Sequence, residues 1–227
     1  MGFGGAVSCA KLTRARVVLT LVGGVFSILT YPATAGIQGS VHDFSAYFWS
    51  GGQICDICHA PHGVSTNTQA PLWNHAITST NFTLYSSGTL WETPVQPEPG
   101  SISRLCLSCH DGTIAIDSFG SNAGGTFMDD INPAANMGTD LSNDHPVGIL
   151  WNHQGDEQRN CTQCHDVLSL NMTVKNVKFY PVPNNPGLPN FRLECGTCHD
   201  VHNAGTEPKL LRVTMTGSAL CQQCHGK

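Results

Sequence analysis

Read for apolar and polar periodicity, the 227-residue chain falls into two unlike parts. A sustained apolar run extends from Val17 to Leu29. Beyond residue 35 no long segment keeps the 3.6-residue spacing of a helix face or the two-residue alternation of a half-buried strand. Gly, Pro, Asn, Ser and Thr punctuate that part instead. The Gly/Asn/Asp-rich stretch 118–144 and the Pro/Asn-rich stretch 181–190 are expected loops. The pattern predicts a mostly irregular, loop-rich fold with short α-helices and little β structure. Without continuous amphipathic faces, apolar mass has to come from something other than side chains.

The opening stretch reads as an address. Lys11, Arg14 and Arg16 precede the apolar run, and Ala33-Thr34-Ala35 supplies the small-x-small pattern of a cleavage site, so residues 1–35 are expected to be a cleaved signal peptide. The run, broken by Gly23-Gly24, falls short of the roughly 20 residues that span a bilayer, and no membrane span is expected after cleavage. Cys9 lies ahead of the run, where a lipidated cysteine would lie just after it. Residues 36–227 are read as one domain. Three of the 11 basic residues leave with the leader and none of the 16 acidic ones does, so 8 face 16 and the formal charge is −8. That balance disfavours nucleic acid and anionic membrane surfaces as partners and suits basic ones.

The cysteines change the picture most. Ten of the 11 fall into five Cys-x-x-Cys pairs, each followed at once by histidine. In chain order the motifs are Cys55, Cys58 and His59; Cys106, Cys109 and His110; Cys161, Cys164 and His165; Cys195, Cys198 and His199; and Cys221, Cys224 and His225. This spacing matches covalent haem attachment. Two thiols three residues apart lie about one helical turn from each other, so each can form a thioether to one porphyrin vinyl group while the adjoining His ligates the iron. A zinc site needs the paired cysteines but gives no reason for the histidine. A disulfide scaffold or an iron–sulfur cluster leaves it equally unexplained. The five motifs therefore predict five haem c groups. Their porphyrins would replace much of the side-chain core, wrapped by a loop-rich polypeptide with short helices at the motifs.

The sixth position on each iron separates an electron carrier from a haem enzyme. Beyond the motif histidines there are six more: His42, His62, His75, His145, His153 and His202. Five irons and six spare histidines point to bis-histidine ligation, hence to low potentials, because a methionine ligand would raise them. His62 and His202 each follow a motif histidine by three residues, too close to serve the same iron from the opposite face, so each is expected to serve a neighbouring haem. His145 lies in a turn with Asp144 as an expected imidazole partner. His42 precedes Phe44, Tyr47, Phe48 and Trp49, an aromatic cluster expected to pack on a porphyrin. His75 and His153 both end the sequence Leu-Trp-Asn-His; His153 is taken as the surplus or inter-subunit candidate and the other five as distal ligands.

An internal repeat is visible. Residues 55–112 run Cys-x-x-Cys-His-x-x-His, then Pro71-Leu72, then after an insertion Leu105 to His110; residues 195–226 run Cys-x-x-Cys-His-x-x-His, then Pro208-Lys209-Leu210-Leu211, then Leu220 to His225. The unit is a haem pair, at 55–110 and 195–225, with the motif at 161–165 alone between them. These residues resemble the doubled CXXCH-motif family of multihaem cytochromes c. Cys58-His59-Ala60-Pro61-His62, Ala70 to His75, Leu105 to Gly112 and Asp144-His145-Pro146 are similar to exported cytochromes of metal-reducing bacteria. The resemblance implies stacked bis-histidine haems and electron delivery, in periplasm or outside the cell, to other redox proteins or extracellular acceptors such as metal oxides. Some members of this class polymerise into conductive filaments. The expectation is an electron carrier and no enzyme. The alternative is a multihaem reductase of small nitrogen or sulfur oxyanions with one open haem, but no Cys-x-x-Cys-Lys motif of such an enzyme occurs.

Overall fold

The computed structural model describes residues 17–21, 24–28, 36–64, 68–90, 93–151, 173–174, 176–182, 191–202 and 207–225. The whole third motif, expected to attach a haem through Cys161 and Cys164 and to ligate its iron through His165, lies outside the described residues. So do His153, the cleavage pattern 33–35 and most of the loop 181–190. In the leading apolar run, β1 (Val17–Leu21) pairs antiparallel with β2 (Gly24–Ile28), Leu21 opposite Gly24. Among the described residues no helix is long and apolar enough to cross a membrane.

From residue 36 onward the described residues form turns and loops with short regular pieces, as the weak periodicity predicted. After β3 (Thr83–Leu84) comes α1 (Ile102–His110), followed by α2 (Met128–Ile131), β4 (Asp140–Leu141) and β5 (Ile149–Trp151). Then follow β6 (Thr173–Val174), β7 (Val177–Lys178), β8 (Tyr180–Pro181), β9 (Phe191–Leu193) and α3 (Cys195–Cys198). β9 is the centre of an antiparallel three-stranded sheet, β5-β9-β8, while β3 and β4 form a two-residue parallel pair.

α1 shows why a helix forms where the chain is otherwise irregular. Ser101 Oγ accepts the Arg104 N–H at 3.3 Å, satisfying one of the first-turn donors. The helix ends at Asp111, and Gly112 beyond it takes φ +72°, the left-handed position that suits glycine after a helix. Its inner face buries Leu105 and Leu107, the latter 1% exposed against Phe82 and Leu141. A second small cluster joins Val177, Phe179, Phe191 and Leu193, with Leu220 and Cys224 packed on it. Among the described residues the buried apolar side chains thus gather in small clusters of three and four.

Candidate haem sites

The first, second, fourth and fifth motifs are described, and each forms a helical or hydrogen-bonded turn. In the first, the Cys58 and His59 amides both donate to Cys55 O, at 3.1 and 2.8 Å. The second occupies the C-terminal half of α1 and the fourth is α3. The fifth is a tight turn, Cys221–Gln223, with the His225 amide on Cys221 O at 2.9 Å. The turn expected of Cys161 and Cys164, with His165 after it, falls outside the described residues, so the site residues placed here belong to the other four motifs. Cys58, Cys106, Cys109, Cys195, Cys198 and Cys221 are free thiols. Burial pushes the Cys58 thiol up to about 11, and it raises Cys109 and Cys198 as well, so these sulfurs stay protonated at neutral pH. Cys55 is disulfide-bonded, and a thioether at that sulfur requires this bond to be open.

The motif histidines are oriented by backbone. Nδ1 of His59 lies 2.6 Å from Pro71 O, Nδ1 of His110 lies 2.9 Å from Ala135 O, and Nδ1 of His199 lies 2.9 Å from Lys209 O. A carbonyl only accepts, so Nδ1 carries the proton and the Nε2 lone pair is left for a metal. The same device fixes tautomer and ring orientation in other metal sites. The acceptor loops repeat between the first and fourth motifs. Ala60 N donates to Leu72 O and Asp200 N to Leu210 O; Asn74 N donates to Cys58 O and Arg212 N to Cys198 O. Leu72 and Leu210 hold nearly equal left-handed φ values, 55° and 56°. The repeat seen in sequence is thus a repeat of hydrogen bonding.

Three motif histidines each face a spare one. Ring centres lie 6.1 Å apart for His59 and His202, 6.0 Å for His110 and His42, and 6.4 Å for His225 and His145. Two ring nitrogens about 2 Å from a shared metal, with each ring centre ~1.2 Å behind its nitrogen, would stand about 6.3 Å apart. All three pairs fit a single iron between them. Their interplanar angles are graded, 27°, 54° and 69° in the same order. Burial and then the charges of His110 and His199 lower His42 to about 4, which keeps it neutral and able to ligate at pH 7.

This arrangement of motif turns, backbone-held imidazoles and opposed histidines is matched by a family comparison. Residues 189–227, which hold the last two motifs, match the family model of the doubled CXXCH motif. The match covers the last 39 of 227 residues and supports a multihaem c-type cytochrome. No curated protein matches the chain. Haem c carried on such motifs suggests electron transfer.

Other expected residues of the cytochrome sit differently. His62 and His75 line one open cavity of about 450 Å³ with Trp73, Asn74 and Ser118. His75 is buried, its Nδ1 2.7 Å from Ala76 O and its Nε2 3.0 Å from Ala115 O and 3.5 Å from Cys109 Sγ, and burial lowers its pKa. Nδ1 of His145 lies 3.1 Å from Pro146 O, so a carbonyl of the turn takes the place expected for the Asp144 carboxylate. Phe44, Tyr47 and Trp49 pack together, but Phe48 points outward at 92% exposure and leaves the aromatic cluster. Sequence reasoning did not find the carbonyls of Pro71, Ala135 and Lys209. The Pro/Leu segment after each Cys-His-x-x-His, Pro71-Leu72 and Pro208-Lys209-Leu210, was the signal for two of them.

Proposed function

We propose that the chain transfers electrons along five closely spaced, low-potential haem c groups, each iron held between a motif histidine and a spare histidine. The observation that carries this reading is the set of three opposed imidazole pairs at 6.0–6.4 Å, each joining residues far apart in the chain. When bound, each haem supplies a one-electron iron couple whose potential two imidazoles hold low. The chain's own contribution is positional. The Pro71, Ala135 and Lys209 carbonyls anchor Nδ1–H and so aim Nε2. His202, three residues after His199, crosses to His59, and the matching repeat makes His62 the counterpart for His199. Cys161 and Cys164 attach the fifth haem, His75 serves it opposite His165, and His153 is left for a second copy if subunits polymerise.

Closing both faces of every iron leaves no position for a substrate, which favours a carrier over the oxyanion reductase. Haem c is attached outside the bacterial cytoplasm, so the chain is exported through residues 1–35. It works in the periplasm or at the cell surface, with other redox proteins or extracellular acceptors such as metal oxides as partners. Electron paramagnetic resonance of the oxidised protein, with carbon monoxide titration of the reduced protein, tests the ligation. All iron should be low-spin and none should bind the gas. A high-spin signal with stoichiometric gas binding would favour the reductase.

A further inference from the structure

The two motif pairs of the chain have to exchange electrons, and the structure shows where their parts come together. α1, which carries the second motif, packs against α3, which carries the fourth. The Cys195 amide donates to Ser103 Oγ at 2.9 Å, and the Ser103 amide donates to Glu194 Oε2 at 3.0 Å. Ser103 Oγ is thus the acceptor for one attachment segment while sitting one turn ahead of the other. Ser103, Glu194 and Thr197 are at most 2% exposed, so these hydrogen-bonding side chains are shut off from solvent. The thiols of Cys106 and Cys195 lie side by side.

Gly196 shows how tight the approach is. A Cβ there would lie 2.9 Å from Ile102 Cγ2 of α1 and 2.4 Å from the Tyr180 hydroxyl, distances that side chains do not adopt. The position between the two cysteines of the motif is free in the sequence pattern, yet here only glycine lets the helices meet. Each first cysteine would bond one edge of its own porphyrin, so neighbouring sulfurs here would set those two edges close to each other.

We propose that the haem sites at 106–110 and 195–199 are direct neighbours, joined at Cys106 and Cys195, and that this junction is the electron bridge between the two motif pairs. It rests on the reading of every motif as a haem site. A structure of the wild-type, haem-loaded protein tests it first. Porphyrin edges of these two sites in van der Waals contact support the bridge. Five haems with another haem or a protein segment between these two overturn it and leave the multihaem reading intact. Missing haems overturn that reading as well.

The second test is Gly196→Val in the haem-loaded protein, its haem count checked by intact mass. Freeze-quench electron paramagnetic resonance then follows an electron from the His59/His202 site in one pair to the His145/His225 site in the other. Transfer should slow severalfold relative to wild type. An unchanged rate with all haems attached overturns the bridge; if the variant loses haem, the wild-type structure decides alone.

Discussion

Replacing His42 by glycine tests the pairing of distant histidines at its clearest point. With ring centres 6.0 Å apart, a shared iron sits about 3 Å from each ring centre. Removing the imidazole leaves only backbone on that face, roughly 6 Å from the metal and far outside the ~2 Å bonding distance. The iron at His110 should become five-coordinate. Of five haems that is one, so about a fifth of the ferric signal should turn high-spin, and the reduced variant should bind about one carbon monoxide per chain. The potential of that haem should rise, since a nitrogen ligand that favoured the ferric state is gone. Added imidazole should restore the low-spin spectrum, because the pocket that holds neutral His42 at pH 7 suits the free neutral base. The assay is absorption and electron paramagnetic resonance with gas titration on the purified variant. A spectrum that stays wholly low-spin, with all haems attached, refutes the assignment of His42 to His110.

Three further outcomes follow from other sites. His145→Ala should abolish the most anisotropic low-spin signal and spare the most rhombic one, since its rings stand at 69° and those of His59 and His202 at 27°; low-temperature spectra of the oxidised variant check this. Leu107→Ala should cost about 2–5 kcal/mol by denaturant titration followed in the far ultraviolet, because its side chain is 1% exposed between Phe82 and Leu141. Glu194→Gln should stabilise the protein at pH 7. Burial raises this carboxyl above its usual 4.5, so ionisation costs the folded state more than it costs the unfolded state. Stability is therefore fully present below 4.5 and is lost as pH rises through the raised value. Thermal melts of wild type and variant should converge in acid and separate toward neutrality.

The parts of this protein that were legible in the sequence are those written in local spacing. Five Cys-x-x-Cys-His runs, the histidine three residues after two of them, and the lack of apolar period led to haem sites and a loop-rich wrapper. Ser101 and Gly112 bracket α1 in the way capping chemistry expects. What stayed hidden is written in distance. Nothing local says that His42 meets His110, that His145 meets His225, or that His202 reaches back to His59. Backbone carbonyls carry no residue signature, so the anchor at Ala135 could not be read. Glycine at 196 looks like a free position of its motif until Ile102 and Tyr180 are seen to close on it. Phe48 belonged to an aromatic run, but the turn that buries Ser50 carries Phe48 outward.

Intact mass spectrometry of the exported, purified protein addresses the whole account in one number. The account predicts the polypeptide from Gly36 onward plus five covalent haems, one at each motif. A polypeptide of that length with fewer attached haems, or with none, would contradict it.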